Sequence, residues 1–107
     1  MSLRPPGAYA RTAPVVALDY EIAQERASAL GRLGRALEAA LAALADYDTG
    51  DAASGATRAG LVQDASDALW CFMVQREACG LRDPRPVLRH YGVPGEVYAR
   101  MGAFGRR

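Results

Sequence analysis

The chain has 107 residues, a net charge of +1 and a composition that is half hydrophobic, which predicts one domain rather than several. It contains no lysine, and all 13 positive charges are arginines, so a Schiff-base lysine and a P-loop lysine are excluded. Alanine supplies 22 residues, while Leu, Ile, Val and Phe together supply only 21. Such a thin core favours association with a second copy.

The first 13 residues contain Pro5, Pro6 and Gly7 and lack a periodic apolar pattern. They predict a flexible N-terminal arm over residues 1–13, followed by a single helical domain over residues 14–102 and a tail over residues 103–107. The N-terminal sequence also lacks the apolar run of a secretory signal, so we expect a cytoplasmic protein.

Alanine, leucine, glutamate and arginine dominate the next segment, which predicts a long helix from about Ala17 to Asp46 with Pro14 in its first turn. Its apolar residues are spaced by three and four: Leu30, Leu33, Leu37, Ala40, Leu44 and Tyr47. This spacing fits either a coiled-coil seam or the core-facing side of an ordinary helical hairpin. Gly31 and Gly34 mark either a close approach of another helix or a break in this one.

The segment from Asp48 to Thr57 is small and polar, which predicts a loop. Asp46, Asp48 and Asp51 resemble part of a calcium loop, but the required glycine is misplaced and Thr57 offers no bidentate carboxylate at position twelve. We therefore expect capping chemistry, with Thr57 or Ser54 as the N-cap of the next helix.

The segment Leu61–Leu81 holds the only tryptophan and is predicted to be a central helix. One broad apolar stripe on it contains Leu61, Val62, Ala65, Ala68, Leu69, Phe72, Met73 and Cys79. Trp70, Val74 and Leu81 form a second apolar stripe, so the last part of the helix is expected to be buried on two sides. The helix is too short to span a bilayer.

Two short helices are predicted after Gly80, over residues 84–91 and 94–101, with Asp83 as the first N-cap and Gly92 between them. We expect this C-terminal pair to dock on the second apolar stripe, because the apolar residues on both sides need cover. The result is an all-α fold, a long antiparallel helical hairpin plus two short helices. Two copies are expected to join as a homodimeric four-helix bundle.

Two arginines interrupt the apolar stripes and form the first candidate site. Arg26 and Arg76 are expected to meet at the open end of the hairpin, where a buried guanidinium must be paired or extend to solvent. Their expected neighbours are Glu25, Gln75 and Glu77, with Asp19 close by. The cluster fits either a structural salt-bridge network or a pocket that binds a carboxylate or phosphate.

The C-terminal third carries the second candidate site, because residues 76–107 hold seven arginines and three acidic residues. Within residues 84–102, the sequence VLRHYGVPGEVYARM resembles a helix-turn-helix, which makes Arg85, Arg89 and Arg100 candidate DNA contacts. The match departs at Leu88, where a small residue is usual, and at Glu96, which would repel phosphate.

Catalysis and metal binding are not predicted. His90 is the only histidine, no nucleophile or nucleotide motif is present, and Cys71, Cys79 and His90 lack the spacing of a zinc site. The two cysteines lie about 12 Å apart along one helix, too far for a disulfide, and are expected to be buried thiols. We therefore expect no enzyme, no cofactor and no metal.

Three segments together carry a family resemblance: LDYEIAQERASALGRLGRALEAAL, DALWCFMVQRE and YGVPGEVYARMG. Over residues 18–102 the chain resembles an uncharacterised family of short all-helical bacterial proteins, a domain of unknown function. The resemblance implies an all-helical domain and no assigned activity. The predicted function is thus protein interaction or scaffolding by a homodimer, with a further protein partner unidentified. The alternatives are DNA binding and anion binding.

Overall fold

The computed structural model describes the backbone of residues 6–51 and 55–104 and the side chains of residues 14–51 and 55–102. The described chain forms four helices and no strand: α1 (Pro6–Asp48), α2 (Arg58–Ala78), α3 (Arg85–His90) and α4 (Gly95–Phe104). The all-α prediction is therefore confirmed. Outside the described residues lie 1–5, 52–54 and 105–107. They include parts of the predicted arm and tail and the alternative N-cap, Ser54.

Helix α1 is longer than the sequence pattern predicted. It begins at Pro6 and continues through Pro14 to Asp48, so the predicted start near Pro14 was wrong, and residues 6–13 of the predicted arm are helical. A proline suits the first turn of a helix, where its missing N–H is not needed, and Pro6 fills that role instead of Pro14. The helix also passes Gly31 and Gly34 without a break.

Helices α1 and α2 form the predicted antiparallel hairpin. Arg58 at the start of α2 bonds to Asp48 at the end of α1, while Gln75 near the end of α2 reaches the backbone of Arg26. The interface buries the first apolar stripe as predicted, because Leu69 is fully buried against α1. The buried core cluster contains Leu37, Leu44, Ala65, Leu69, Phe72, Val87 and Val97.

Helix α4 packs on α2, but it covers the second apolar stripe less fully than the sequence analysis expected. Val97 is fully buried, and the Ser66 hydroxyl donates to its carbonyl oxygen at 3.2 Å as well as to that of Val62 at 2.8 Å. Tyr98 and Met101 of the ten-residue helix line a cavity together with Trp70 and Val74, so α4 lies beside that stripe without filling the space over it. Expected full burial of the second apolar stripe was therefore wrong: Trp70, Val74 and Leu81 are 36%, 49% and 48% exposed.

The helix ends follow local sequence signals. The Thr57 hydroxyl caps α2 by accepting a hydrogen bond from the Gly60 N–H at 3.0 Å, as predicted. Gly80 has φ +84° and ends the α2 turn, while the Asp83 carboxylate accepts from the Arg85 N–H at 3.0 Å. The last helix does not end at Gly102 as predicted, because it continues to Phe104.

The expected burial of both thiols was also wrong. Cys71 is exposed, and Cys79, the C-cap residue of α2, is half-buried. Both are free cysteines, as their predicted separation requires.

The whole molecule is a rod of 69 × 26 × 25 Å with a radius of gyration of 20.0 Å. A compact chain of this length has a radius of gyration of about 13 Å. The molecule is elongated because the 43-residue α1 spans about 64 Å at 1.5 Å per residue. The 21-residue α2 covers only half of that length. Residues 14–28, here called the α1 extension, are all exposed.

Candidate interaction surface

The α1 extension presents large apolar side chains to solvent. Their exposed fractions range from 40% for Ile22 to 70% for Tyr20, and the set is Val15, Val16, Leu18, Tyr20 and Ile22. Val15, Leu18 and Ile22 follow the i, i+3, i+7 spacing of one helix face. Clustered exposed apolar side chains are typical of surfaces where another molecule binds.

The residues of the predicted Arg26/Arg76 cluster have different hydrogen-bond partners in the structure. The Arg76 Nη2 donates to the Asp83 carbonyl oxygen at 2.8 Å, so this guanidinium holds the linker between α2 and α3. Its Nε is buried and has no hydrogen-bond partner within the described residues. Gln75 does approach Arg26, but its Nε2 donates to the Arg26 backbone carbonyl at 3.4 Å rather than sharing a ligand site.

The acidic members of that cluster do not bind either arginine. Glu25 accepts from Arg32 on the exposed side of α1 at 3.4 Å, and the side chain of Glu77 makes no hydrogen bond to the described part of the chain. The two arginines therefore have no common partner that would assemble an anion pocket.

Two of the three candidate DNA contacts are engaged within the chain. Arg85 binds the Asp83 carboxylate through two nitrogens, at 3.0 and 2.9 Å, and this contact lowers the pKa of Asp83 to about 2. Arg100 donates from Nε to the Gln63 side-chain oxygen at 2.8 Å. Arg89 is exposed, and its side chain makes no hydrogen bond or ion pair to described residues.

A salt-bridge cluster that the sequence analysis missed ties three helices together. Arg58, the first residue of α2, donates to Asp48 at 2.8 Å and to both carboxylate oxygens of Glu96, at 2.9 Å for one of them. Hydrogen bonds from Arg58 lower the pKa of Asp48 and of Glu96, and those two partners raise the pKa of Arg58. Because Asp48 and Arg58 flank one loop, their pairing could have been predicted. Glu96 lies 38 residues after Arg58, and nothing in the sequence indicated that the two would meet.

The sequence of the chain matches one known protein family. A model of the family of unknown function DUF6665 matches residues 3–107. The chain belongs to DUF6665. No curated protein and no solved structure matches it. The expected membership in a family of unknown function is therefore confirmed, over more of the chain than the resembling segments covered.

This DUF6665 protein has a second, smaller apolar surface around the uncovered stripe of α2. A cavity of about 210 Å³ lies there between α2, the α2–α3 linker and α4, and its apolar walls include Trp70, Val74, Leu81 and Tyr98. Its rim carries one charge of each sign, Glu77 and Arg82. The α1 extension exposes more large apolar residues than the walls of this cavity do, with five of them within eight positions of one helix.

The remaining groups to place in the DUF6665 chain are the possible metal ligands and the aromatic residues around His90. Among the residues whose side chains are described, no three His, Cys, Asp or Glu side chains are placed to hold a metal ion. His90 packs edge-on against Tyr91, with ring centroids 4.8 Å apart, and Tyr91 packs edge-on against Phe72 at 5.4 Å. Within the described helices there is also no apolar stretch long enough to cross a membrane.

Proposed function

We propose that this DUF6665 protein is a protein-interaction module that acts as a homodimer, with the α1 extension as the surface through which two copies bind. One observation carries the proposal: five large apolar side chains of the extension are at least 40% exposed. They lie on the part of α1 where every described residue is exposed. Burying such side chains contributes about 1.5–3 kcal/mol each, so an uncovered row of them favours association. The proposal assigns no catalytic step.

The form of the dimer follows from which apolar surface is still uncovered. Side-by-side joining of two hairpins into a four-helix bundle would need a second apolar face on the hairpin itself. The main stripe of the hairpin is already buried between α1 and α2, where Leu37, Leu44 and Leu69 are almost fully covered. Pairing through the extension therefore has the stronger support, because its apolar side chains have no competing contact.

The test is the mass of the protein in solution, measured by light scattering over a concentration series. The wild type is expected to form a dimer, and Ile22→Glu, which places a charge in the middle of the surface, is expected to be monomeric. Val74→Glu is the matched control, since Val74 is equally exposed but lies on the second apolar surface. It is expected to remain a dimer.

Two results would contradict this proposal. A wild type that is monomeric throughout the series excludes the homodimer. A dimer that Val74→Glu disrupts and Ile22→Glu does not excludes the extension as the interface. Both variants are expected to keep the helix content of the wild type, because both substituted side chains are exposed. Circular dichroism measures that content and so checks that each variant is folded.

DNA binding, the alternative prediction, receives less support from the observed contacts. The side chains of Arg85 and Arg100 are held by Asp83 and Gln63, and Glu96 lies in the first turn of the helix that would read bases. Specific DNA binding requires side chains that are available to base edges and phosphates. A gel shift with mixed duplex DNA at low salt tests this alternative, and we expect no shift.

A further inference from the structure

One side of α1 carries large apolar side chains in the extension and alanines alongside the hairpin. Val15 and Ile22 begin a series with a spacing of seven, and its next three positions, here called the alanine stripe, are Ala29, Ala36 and Ala43. Residues with this spacing share one side of a helix. The apolar row of the extension and the alanine stripe therefore form a single continuous side of α1.

The alanine stripe lies beside the contact with α2 rather than within it. Among the described helices, α1 packs only against α2, and none of the three alanines belongs to the buried core cluster. At 100° per residue, the exposed Ala36 is about a quarter turn from Leu37, which faces α2. It lies on nearly the opposite side of α1 from Gly34, which faces Tyr91. A second helix can therefore run along this stripe without displacing α2 or the residues after α3.

An antiparallel pair of α1 helices brings large side chains of one copy opposite alanines of the other. With a two-fold axis between Glu25 and Arg26, Ile22 of each copy lies opposite Ala29 of the other, and Val15 lies opposite Ala36. Large and small residues at facing positions allow two surfaces to interdigitate. In a parallel pair the large side chains would instead face each other, and the alanines would face alanines.

The position of this axis suits the extent of α2. Gln75, three residues before the end of α2, donates to the Arg26 carbonyl oxygen, so the cover from α2 ends close to the axis. The two hairpins consequently lie on opposite sides of the axis. The extension of each copy runs along the hairpin of the other, on the side that the alanine stripe occupies.

Charges beside this side of α1 favour the same orientation. Glu21 and Arg32 are both exposed and flank it along one edge; within the described residues Glu21 forms no ion pair, and Arg32 binds Glu25 of its own chain at 3.4 Å. In the antiparallel pair, Glu21 of each copy lies within about one helical turn of Arg32 of the other. A parallel pair would place like charges side by side, which is repulsive.

We propose that two copies of this chain pair in antiparallel orientation, with the α1 extension of each copy packed along the alanine stripe of the other. This inference rests on the proposed homodimer and names the surface of the partner that the extension contacts. The pairing buries Val15, Leu18 and Ile22, which share the side of the extension that continues into the stripe. Val16 and Tyr20 point away from it and take no part.

Disulfide trapping tests the orientation and the register. In a Cys71→Ser/Cys79→Ser background, the double variant Val15→Cys/Ala36→Cys is expected to form a covalent dimer on mild oxidation, because the two positions face each other across the interface. Neither single variant is expected to do so. Tyr20→Cys/Ala36→Cys is the matched control, since Tyr20 lies on the other side of the extension, and is expected to remain a single chain on a non-reducing gel.

A bulky substitution on the stripe tests the same contact without chemistry. Ala36→Trp is expected to weaken the dimer about tenfold or more in sedimentation, because the indole fills the space that Val15 of the other copy needs. Ala42→Trp is the control: Ala42 is also exposed, but it lies on the side of α1 away from both α2 and the stripe. Its dimer is expected to match the wild type.

The outcomes distinguish this inference from the proposed function. Trapping of Val15→Cys alone indicates a parallel pair and overturns the antiparallel orientation. If Ile22→Glu abolishes the dimer while Ala36→Trp leaves it unchanged, the homodimer stands and the alanine stripe is not its contact surface. A wild type that is monomeric at every concentration overturns both.

Discussion

Gly34 shows how one missing side chain allows three elements to meet. A Cβ atom at this position would lie 2.8 Å from the Tyr91 hydroxyl oxygen and 3.4 Å from the Phe72 ring. A Cβ at Gly31 would meet only the flexible end of Arg35, at 3.5 Å. The predicted helix break occurs at neither glycine, and what approaches Gly34 closely is the side chain of Tyr91 rather than another helix backbone.

These two glycines give a matched pair of substitutions. Gly31→Ala is expected to stabilise the protein by about 0.5–1 kcal/mol, because alanine favours the helix and nothing obstructs its methyl group. Gly34→Ala is expected to be about 1–3 kcal/mol less stable than Gly31→Ala, because its methyl group must displace Tyr91. The free energy of unfolding in urea measures both.

The hydroxyl of Tyr91 is the group responsible, so its removal serves as the control. In a Tyr91→Phe background the two alanine substitutions are expected to differ much less, since the nearest remaining contact at position 34 is the Phe72 ring edge. An undiminished difference in that background would show that the close approach is not what makes Gly34 necessary.

Arg58 predicts how stability responds to acid. Because this guanidinium lowers the pKa of Asp48 and Glu96 in the folded state, the unfolded chain binds protons more readily as the pH falls through their ordinary values of 3.8 and 4.5. The stabilisation is present above that range and is lost below it. The stability difference between wild type and Arg58→Gln is therefore expected to narrow from pH 7 to pH 3, as measured by urea unfolding.

Arg35→Gln is the control for this experiment. It removes the same charge from a residue that forms no ion pair with the described residues, so its effect is expected to lack that narrowing. A stability difference for Arg58→Gln that stays constant between pH 7 and pH 3 would mean that the two carboxylates do not depend on Arg58 in solution.

Among the elements, α2 depends on its first turn. The Thr57 hydroxyl accepts from the Gly60 N–H at 3.0 Å, satisfying one of the backbone donors that a helix start leaves unpaired. Thr57→Ala is expected to cost about 1 kcal/mol of unfolding free energy, whereas Thr57→Ser, which keeps an acceptor oxygen, is expected to cost little. Equal losses for both variants in urea unfolding would show that the cap contributes through its methyl group instead.

The helices themselves could be predicted because their signals are local. The cap at Thr57 and the glycines at positions 80 and 92 fixed the ends of elements from neighbouring residues alone. The docking of α4 could not be predicted, because Ser66 looked like part of a polar face until its hydroxyl was paired with the carbonyl oxygens of Val62 and Val97. A buried hydroxyl with two acceptors packs as well as an apolar side chain, and hydrophobic periodicity does not detect it.

In the candidate sites, too, the partners of individual side chains could not be predicted from the sequence. Arg76 was correctly recognised as an arginine that needs a partner, yet the partner is a backbone carbonyl of the α2–α3 linker rather than an acidic side chain. Every residue has a carbonyl, so sequence gives no means of choosing one. The exposed apolar residues of the α1 extension belonged to neither candidate site, because their exposure depends on where α2 ends.

At the scale of the whole molecule, the interface between two copies determines the length of the dimer. Each protomer is 69 Å long. Two copies that overlap along their α1 extensions are expected to have a maximum dimension clearly shorter than twice that length. Small-angle scattering measures it, and a value near twice the protomer length would indicate joining by the tips instead.

The unequal lengths of α1 and α2 have a consequence for the dynamics of the chain. An isolated helical segment of this length is only marginally stable in water, whereas residues 30–44 are held by α2. Amide protons of the α1 extension should therefore exchange with solvent far sooner than those around Leu37 when the protein is dilute. As concentration rises and copies associate, the gap in exchange rates should close, so the order of about a third of one helix becomes a property of the pair rather than of the single chain.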